Sequence, residues 1–176
     1  MCPLVVPVTT RDHVSGPAES SLTMVEYGDI ECPHCALAHP IVRGIRDRLK
    51  DSLRFVFRHF PMTRIHPLAQ KAAEAAEAAA AQGKFWEMLD VLYDNRDRLE
   101  DEALVKHAKK LGLDGKQFRK ELEEGVYADR VRADMLGGVR SGVNGTPTFF
   151  INGVRHDGSW EFEPLVAALV KAGKAV

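Results

Sequence analysis

No stretch of the 176 residues approaches the roughly 20 consecutive apolar residues that a membrane-spanning helix needs, so no membrane span is expected. Charge of one sign is lacking too. The 24 basic residues stand against 25 acidic ones, a formal net charge of −1, which removes the global electrostatic case for nucleic acid as a partner. Cysteine is scarce: three residues are too few for a disulfide framework in a chain of this length. Two of them, Cys32 and Cys35, are nevertheless spaced C-x-x-C, which leaves redox chemistry or metal binding in place of stapling. Structural zinc usually takes four Cys or His ligands. No second C-x-x-C is present, and the spare candidates are Cys2, His34 and His39, so no metal is expected. The N-terminus, Met1 to Val8, has no basic segment and a short apolar run broken by Pro3 and Pro7, which makes a poor signal peptide. The expected compartment is the cytosol, with a periplasmic or other extracytoplasmic location after signal removal as the alternative.

What is present centres on Glu31-Cys32-Pro33-His34-Cys35. An apolar, β-prone run from Leu22 to Tyr27 leads into it, and Leu37, Ile41, Ile45 and Leu49 recur every fourth residue after it. A strand therefore runs into the first cysteine and a helix starts at or just after it. At that point the Cys32 sulfur meets unpaired backbone N–H groups and the positive end of a helix dipole, which favour a thiolate. His34 next to it favours the same anion, and Pro33 stiffens the turn. Glu26 is out of place in its apolar strand. A buried carboxyl is costly unless paired or protonated, so Glu26 reads either as a strand-end acid facing water or as a buried proton acceptor beneath the dithiol.

Further along, Pro40 should kink the helix, and Arg43, Arg46, Asp47, Arg48 and Lys50 read as its solvated face. Alternation from Leu53 to Phe60 gives a second strand, closed by Pro61. Several short amphipathic helices follow. One is alanine-rich from Ala72 to Ala81, one carries Phe85, Met88, Leu89 and Leu92, one carries Leu104, Ala108 and Leu111, one is capped by Asp114, and one runs through Tyr127, Val131, Met135 and Val139. Strand signals resume at Thr146 to Ile151, Asn152-Gly153 marks a hairpin, and Phe162 to Ala172 closes the chain as a helix with Leu165, Val166, Leu169 and Val170 inward. Residues 1 to 20 read as a loose lead-in, with Leu4 to Val8 as its β-prone part. A parallel crossover needs about a dozen residues, whereas Pro61 to Thr146 supplies 86, so an inserted helical lobe is expected there. The fold class is α/β, with residues 21–62 and 143–176 forming a sheet domain and 63–142 a helical subdomain.

Strand, Cys32-Pro33-His34-Cys35, helix, helical lobe, and a later Gly145-Thr146-Pro147-Thr148 before a hairpin together resemble DsbA-like thiol-disulfide oxidoreductases of the thioredoxin superfamily. Val25-Glu26-Tyr27-Gly28-Asp29 and Arg58-His59-Phe60-Pro61 look like the short bacterial DsbA-like domains. The resemblance implies a thioredoxin-like fold with a helical lobe inserted in the central crossover. It implies Cys32 as the attacking thiol, Cys35 as the resolving one, and Pro147 after Thr146 as a cis-proline facing the dithiol and holding an incoming peptide. It also matches Glu26 to the family's buried acid. The implied partners are protein or peptide thiols and disulfides together with an unidentified redox partner. No cofactor is implied beyond the Cys32–Cys35 disulfide itself. Net oxidation, reduction and isomerisation stay open. So do a redox-sensing module without catalysis and a glutathione-dependent enzyme, the last disfavoured by the second thiol, Cys35. His39, His59, His66, His107 and His156 read as surface or satisfied histidines, Cys2 as a free tail thiol, and Phe85, Trp86 and Met88 as core.

Overall fold

The computed structural model describes residues 3–174. In chain order come β1 (His13–Ser15), β2 (Leu22–Gly28), α1 (Pro33–Arg48) and β3 (Leu53–His59). Then follow α2 (Ala69–Ala80), α3 (Phe85–Asp94), α4 (Asp101–Lys110), α5 (Gly115–Glu123) and α6 (Ala128–Arg140). The hairpin β4 (Thr148–Ile151) and β5 (Val154–His156) precedes α7 (Phe162–Gly173). The strands form one sheet in the order β1-β3-β2-β4-β5. β2 and β3 are parallel and joined through α1, so the βαβ unit is β2–α1–β3.

The helical lobe α2–α6 lies between β3 and β4 in the chain, as expected, but it does not lead to a parallel strand. β4 pairs antiparallel with β2, its Phe149 opposite Glu26. Residue spacing alone cannot give strand direction, because the lobe is long enough to return the chain from either end of the sheet. The lead-in differs as well. Its edge strand is His13–Ser15, antiparallel to β3, while Leu4 donates to the Gly153 carbonyl at 2.8 Å on the opposite edge. Cys2 lies outside the described residues.

Alternation along β2 sorts its side chains between two cores. Leu22 and Met24 join the larger cluster with Cys35, Val42, Ile45 and α7's Leu165 and Leu169, while Val25 and Tyr27 join the smaller one with Phe60, Val143 and Phe150. Glu26 and Gly28 therefore share the Met24 face. On α1 the buried residues are Cys35, Ala38, His39, Val42 and Ile45, whereas Leu37 is 62% exposed. A strict four-residue spacing drifts around a 3.6-residue helix by about 40° a step, so the Leu37 end of that stripe reaches solvent. The same drift leaves Val139 of α6 and Val170 of α7 exposed, and buries Gly137 and Gly138 of α6 in place of Val139. Pro40 sits inside α1 without ending it.

Arg46 departs from the expected solvated face. Its guanidinium lies 4.4 Å from the Trp86 ring centroid and 5.3 Å from that of Phe55, and donates to Ser15 Oγ at 2.9 Å. The hairpin follows the sequence: Asn152 and Gly153 both take positive φ, 47° and 78°, as a type I′ turn requires. The lobe docks on the sheet through charge as well as apolar contact. Glu77 of α2 is buried and accepts from His13 Nε2 at 2.8 Å and His59 Nε2 at 3.0 Å. Burial alone would raise its carboxyl, but those two hydrogen bonds hold it below the ordinary carboxylate range.

Candidate active site

Cys32 occupies the N-cap of α1 with extended backbone (φ −68°, ψ 125°), and Pro33 fills the first helical position, where a missing N–H costs nothing. The Cys32 side chain does not close a tight N-cap on α1; the His34 and Cys35 N–H groups act on its sulfur from longer range. Its sulfur lies 3.6 Å from the Thr146 carbonyl oxygen. The Thr146–Pro147 peptide is cis, and the loop is braced by Thr148 Oγ1 donating to the Gly145 carbonyl at 2.7 Å and by a Thr146 Oγ1 contact to Met62 Sδ at 3.6 Å. Cys32 is only 4% exposed, less open than its place at a helix start suggests, because this loop lies over it.

Cys35 is fully buried one turn further on, and its sulfur accepts from the Asp29 N–H at 3.4 Å. The two thiols differ sharply in proton affinity. Hydrogen bonding from Cys35 pulls the Cys32 thiol down to about 5 against the cost of its own burial, with Thr146 and the backbone N–H groups of Cys35 and His34 adding to the effect. Burial pushes the Cys35 thiol well above the ordinary value, helped by the bond to Cys32 and the nearby Glu26 charge. Below them Glu26 is 2% exposed, and burial pushes its carboxyl up to about 8 against the attraction of Arg46. Glu26 is therefore a buried acid, not a strand-end group facing water. The His34 ring is exposed, and what His34 offers Cys32 is its backbone N–H.

Three neighbours carry no signal of their own in the sequence. Asp29 is buried, with Oδ1 accepting from the Glu31 N–H at 2.9 Å and Oδ2 from the Met62 N–H and His66 Nδ1 at 2.8 Å each. It ties the loop before Cys32 to the segment after β3. His39, one turn past Cys35, is paired to Asp90 at 2.7 Å and stacks on Tyr93 with ring centroids 4.4 Å apart. Tyr93 itself, on α3, is 5% exposed, and its hydroxyl lies beside Gly28. Of the other histidines, His107 pairs with the Arg98 carbonyl at 3.2 Å and His156 with the Ser159 carbonyl at 3.0 Å, while buried His59 is satisfied at Nε2 by Glu77 but finds no partner for Nδ1 among the described residues. Among the described residues no three His, Cys, Asp or Glu side chains gather as metal ligands, and no helix is long and apolar enough to cross a membrane.

A family model described as thioredoxin matches residues 8–171. The chain belongs to the thioredoxin family. Within that family the fold is the DsbA-like one. The oxidised form of BdbD from Bacillus subtilis superposes with a TM-score of 0.87 at 20% identity, over 96% of each chain. A thioredoxin-like oxidoreductase from Silicibacter pomeroyi gives 0.84 at 28% identity, over 96% of this chain and 95% of that one. Wolbachia pipientis alpha-DsbA1 gives 0.83 at 23%, over 98% and 95%. Among curated proteins, the Na(+)/H(+) antiporter NhaA 3 of Salinispora tropica is 49% identical over 96% of this chain and 26% of its own length. NhaA 1 of Mycolicibacterium vanbaalenii is 43% identical over 93% of this chain and 27% of its own. This thioredoxin-family chain thus spans about a quarter of the curated relatives it matches.

Proposed function

We propose that the chain is a dithiol-disulfide oxidoreductase that exchanges disulfides with protein or peptide cysteines. The observation that carries this is the placing of Cys32 at the start of α1, its sulfur 3.6 Å from the Thr146 carbonyl at the cis-proline loop, with Cys35 buried one turn on. This arrangement draws Cys32 down to about 5 and holds Cys35 well above the ordinary value. Exchange asks for that combination: an anionic sulfur to attack, and a second thiol that stays protonated until needed.

In the reducing direction the Cys32 thiolate attacks one sulfur of a substrate disulfide, and the other substrate sulfur leaves as a thiolate that takes a proton. Cys35 then gives its proton to the Glu26 carboxylate and attacks Cys32 Sγ. The Cys32–Cys35 disulfide forms, the bond to the substrate breaks, and two electrons have passed to the substrate. In the oxidising direction the same steps reverse, and Glu26 returns the proton to Cys35 as it leaves. A carboxyl at about 8 suits both directions, since it is readily protonated and, once ionised, basic enough to accept from a thiol. Thr146 and Pro147 have the substrate-holding role, because the loop they form lies against the Cys32 sulfur, where an incoming peptide main chain must run. A depressed Cys32 thiol stabilises the reduced form and makes the disulfide the more oxidising partner, a trend that DsbA-like proteins themselves exemplify. The test is catalysed reduction of a protein disulfide by dithiothreitol: Cys32→Ser should lose it, and variant turnover equal to wild type would overturn the reading.

A second reading is favoured by one observation, the 43–49% identity to a quarter of the length of NhaA-type antiporters. In this reading the chain is a redox-responsive module that works with a membrane transport protein. Tighter binding of one redox state of the chain to a purified NhaA-type antiporter would support it, and equal or absent binding by both states would remove it.

A further inference from the structure

The resolving thiol must become a thiolate in the driest part of the site. Cys35 is fully buried, and its close donor among the described residues is the Asp29 N–H at 3.4 Å, with a weaker contribution from the Thr146 side chain. Glu26 in the exchange reading takes the proton but offers no positive charge to the sulfur left behind. Something else in that space is unspent. The Tyr93 hydroxyl is buried and finds no hydrogen-bond partner among the described residues. A buried hydroxyl without an acceptor costs about 1–3 kcal/mol, so its position calls for an explanation.

Its location supplies one. A Cβ built on Gly28 would lie 3.0 Å from the Tyr93 hydroxyl oxygen and 2.5 Å from the Phe57 ring. The hydroxyl therefore sits where a side chain at Gly28 would be, on the same face of β2 as Glu26 two residues earlier, and Phe57 is the register partner of Glu26 on β3. The peptide that follows Gly28 carries the very N–H that bonds Cys35 Sγ. The hydroxyl thus lies beside Gly28 and the sulfur on the N–H of the next residue, with no hydrogen bond between the two in the dithiol. The neighbouring His39 does not consume the hydroxyl, its Nε2 being bonded to Asp90 at 2.7 Å while its ring only stacks on the phenol. Besides His39, the ionisable groups around the phenol include Cys35, Glu26, Asp29 and Cys32, and Asp29 already has three donors of its own.

We propose that the Tyr93 hydroxyl is the donor that receives the charge on Cys35, idle in the dithiol and engaged when the Cys35 sulfur becomes a thiolate. This rests on the exchange reading above and assigns a third group to the resolving half of it. During resolution the proton goes to Glu26, the Cys35 sulfur attacks Cys32 Sγ and expels the substrate sulfur, and Tyr93 holds the transient thiolate. In the opposite direction it holds Cys35 as it leaves.

The test uses Tyr93→Phe in a Cys2→Ser background, with an aromatic disulfide whose released thiolate is coloured. Mixing with the reduced protein gives two releases: one when Cys32 attacks, one when Cys35 resolves. The expected result is an unchanged first phase, a second phase slowed about tenfold for loss of one hydrogen bond to a charge, and unfolding at the same or a higher temperature because an orphan hydroxyl is gone. A Cys32→Ser background adds an independent readout, where Tyr93→Phe should raise the Cys35 thiol further. An unchanged second phase, or slowing of both phases together with a lower unfolding temperature, overturns the proposal. A wild-type protein that releases no thiolate at all would sink the exchange reading, and is told apart from failure of Tyr93 alone by the absent first phase.

Discussion

Replacing Glu26 by glutamine should make the protein more stable at alkaline pH, and the size of the effect follows from where the carboxyl sits. Glu26 is 2% exposed on the core face of β2, and burial pushes it from an ordinary 4.5 up to about 8. The folded chain therefore keeps a proton that the unfolded chain releases. For a group whose folded value is raised, the stability it supports is fully present below the unfolded value and is lost as pH rises through the folded one. The window is from 4.5 to about 8. At about 1.4 kcal/mol per pH unit, the loss has a ceiling of about 5 kcal/mol, and relaxation of the site would leave several kcal/mol of it. Glutamine keeps the shape and has no proton to lose. Urea unfolding of reduced wild type and Glu26→Gln across this window should give a stability difference that moves in favour of the variant by several kcal/mol, other titrations cancelling between the two. Parallel stability curves would refute the reasoning and return Glu26 to a solvated carboxylate.

Two further outcomes follow from the same geometry. Alkylation of Cys32 by iodoacetamide should be half-maximal near pH 5, where a thiol drawn down to about 5 ionises, and a midpoint near an ordinary thiol's value, about 8.5, would contradict the site's electrostatics. Glu77→Ala should cost about 1–3 kcal/mol or more, because it leaves the His13 and His59 donors without the buried carboxylate that accepts from both. Glu77 is held below its ordinary 4.5, so its contribution is present above that value and lost as acid reaches it; equal acid sensitivity of variant and wild type in urea unfolding would count against it.

The parts of the site written in local chemistry are legible in the sequence itself. The strand into Cys32, the helix after it and the misplaced Glu26 each announce themselves by composition within a few residues. Asn152-Gly153 does the same for the hairpin. Thr146-Pro147, by contrast, reads locally as the start of a strand, which begins at Thr148, and its loop follows only from the family resemblance. What stays hidden depends on long-range placement. Tyr93 belongs to an ordinary amphipathic helix, and nothing in Phe85 to Leu92 says that the next residue ends beside Gly28. Arg46 lies in a charge run that reads as solvated, and only the position of Trp86 makes it a stacking partner. Strand direction at β4 runs against the parallel expectation because an 86-residue connection constrains neither sense. The four-residue stripe on α1 misplaces Leu37 because the helix turns in 3.6 residues, so a short stripe and a drifting one look alike in sequence.

The central claim is that Cys32 attacks and Cys35 resolves. It is tested most directly by trapping: Cys35→Ser, in a Cys2→Ser background, is mixed with a disulfide-bonded peptide and the products are weighed by mass spectrometry. The account predicts a stable adduct of one peptide half joined through Cys32, absent when Cys35 is restored because the wild-type pair releases it. No adduct on Cys32, or an adduct that persists equally with Cys35 in place, would contradict it.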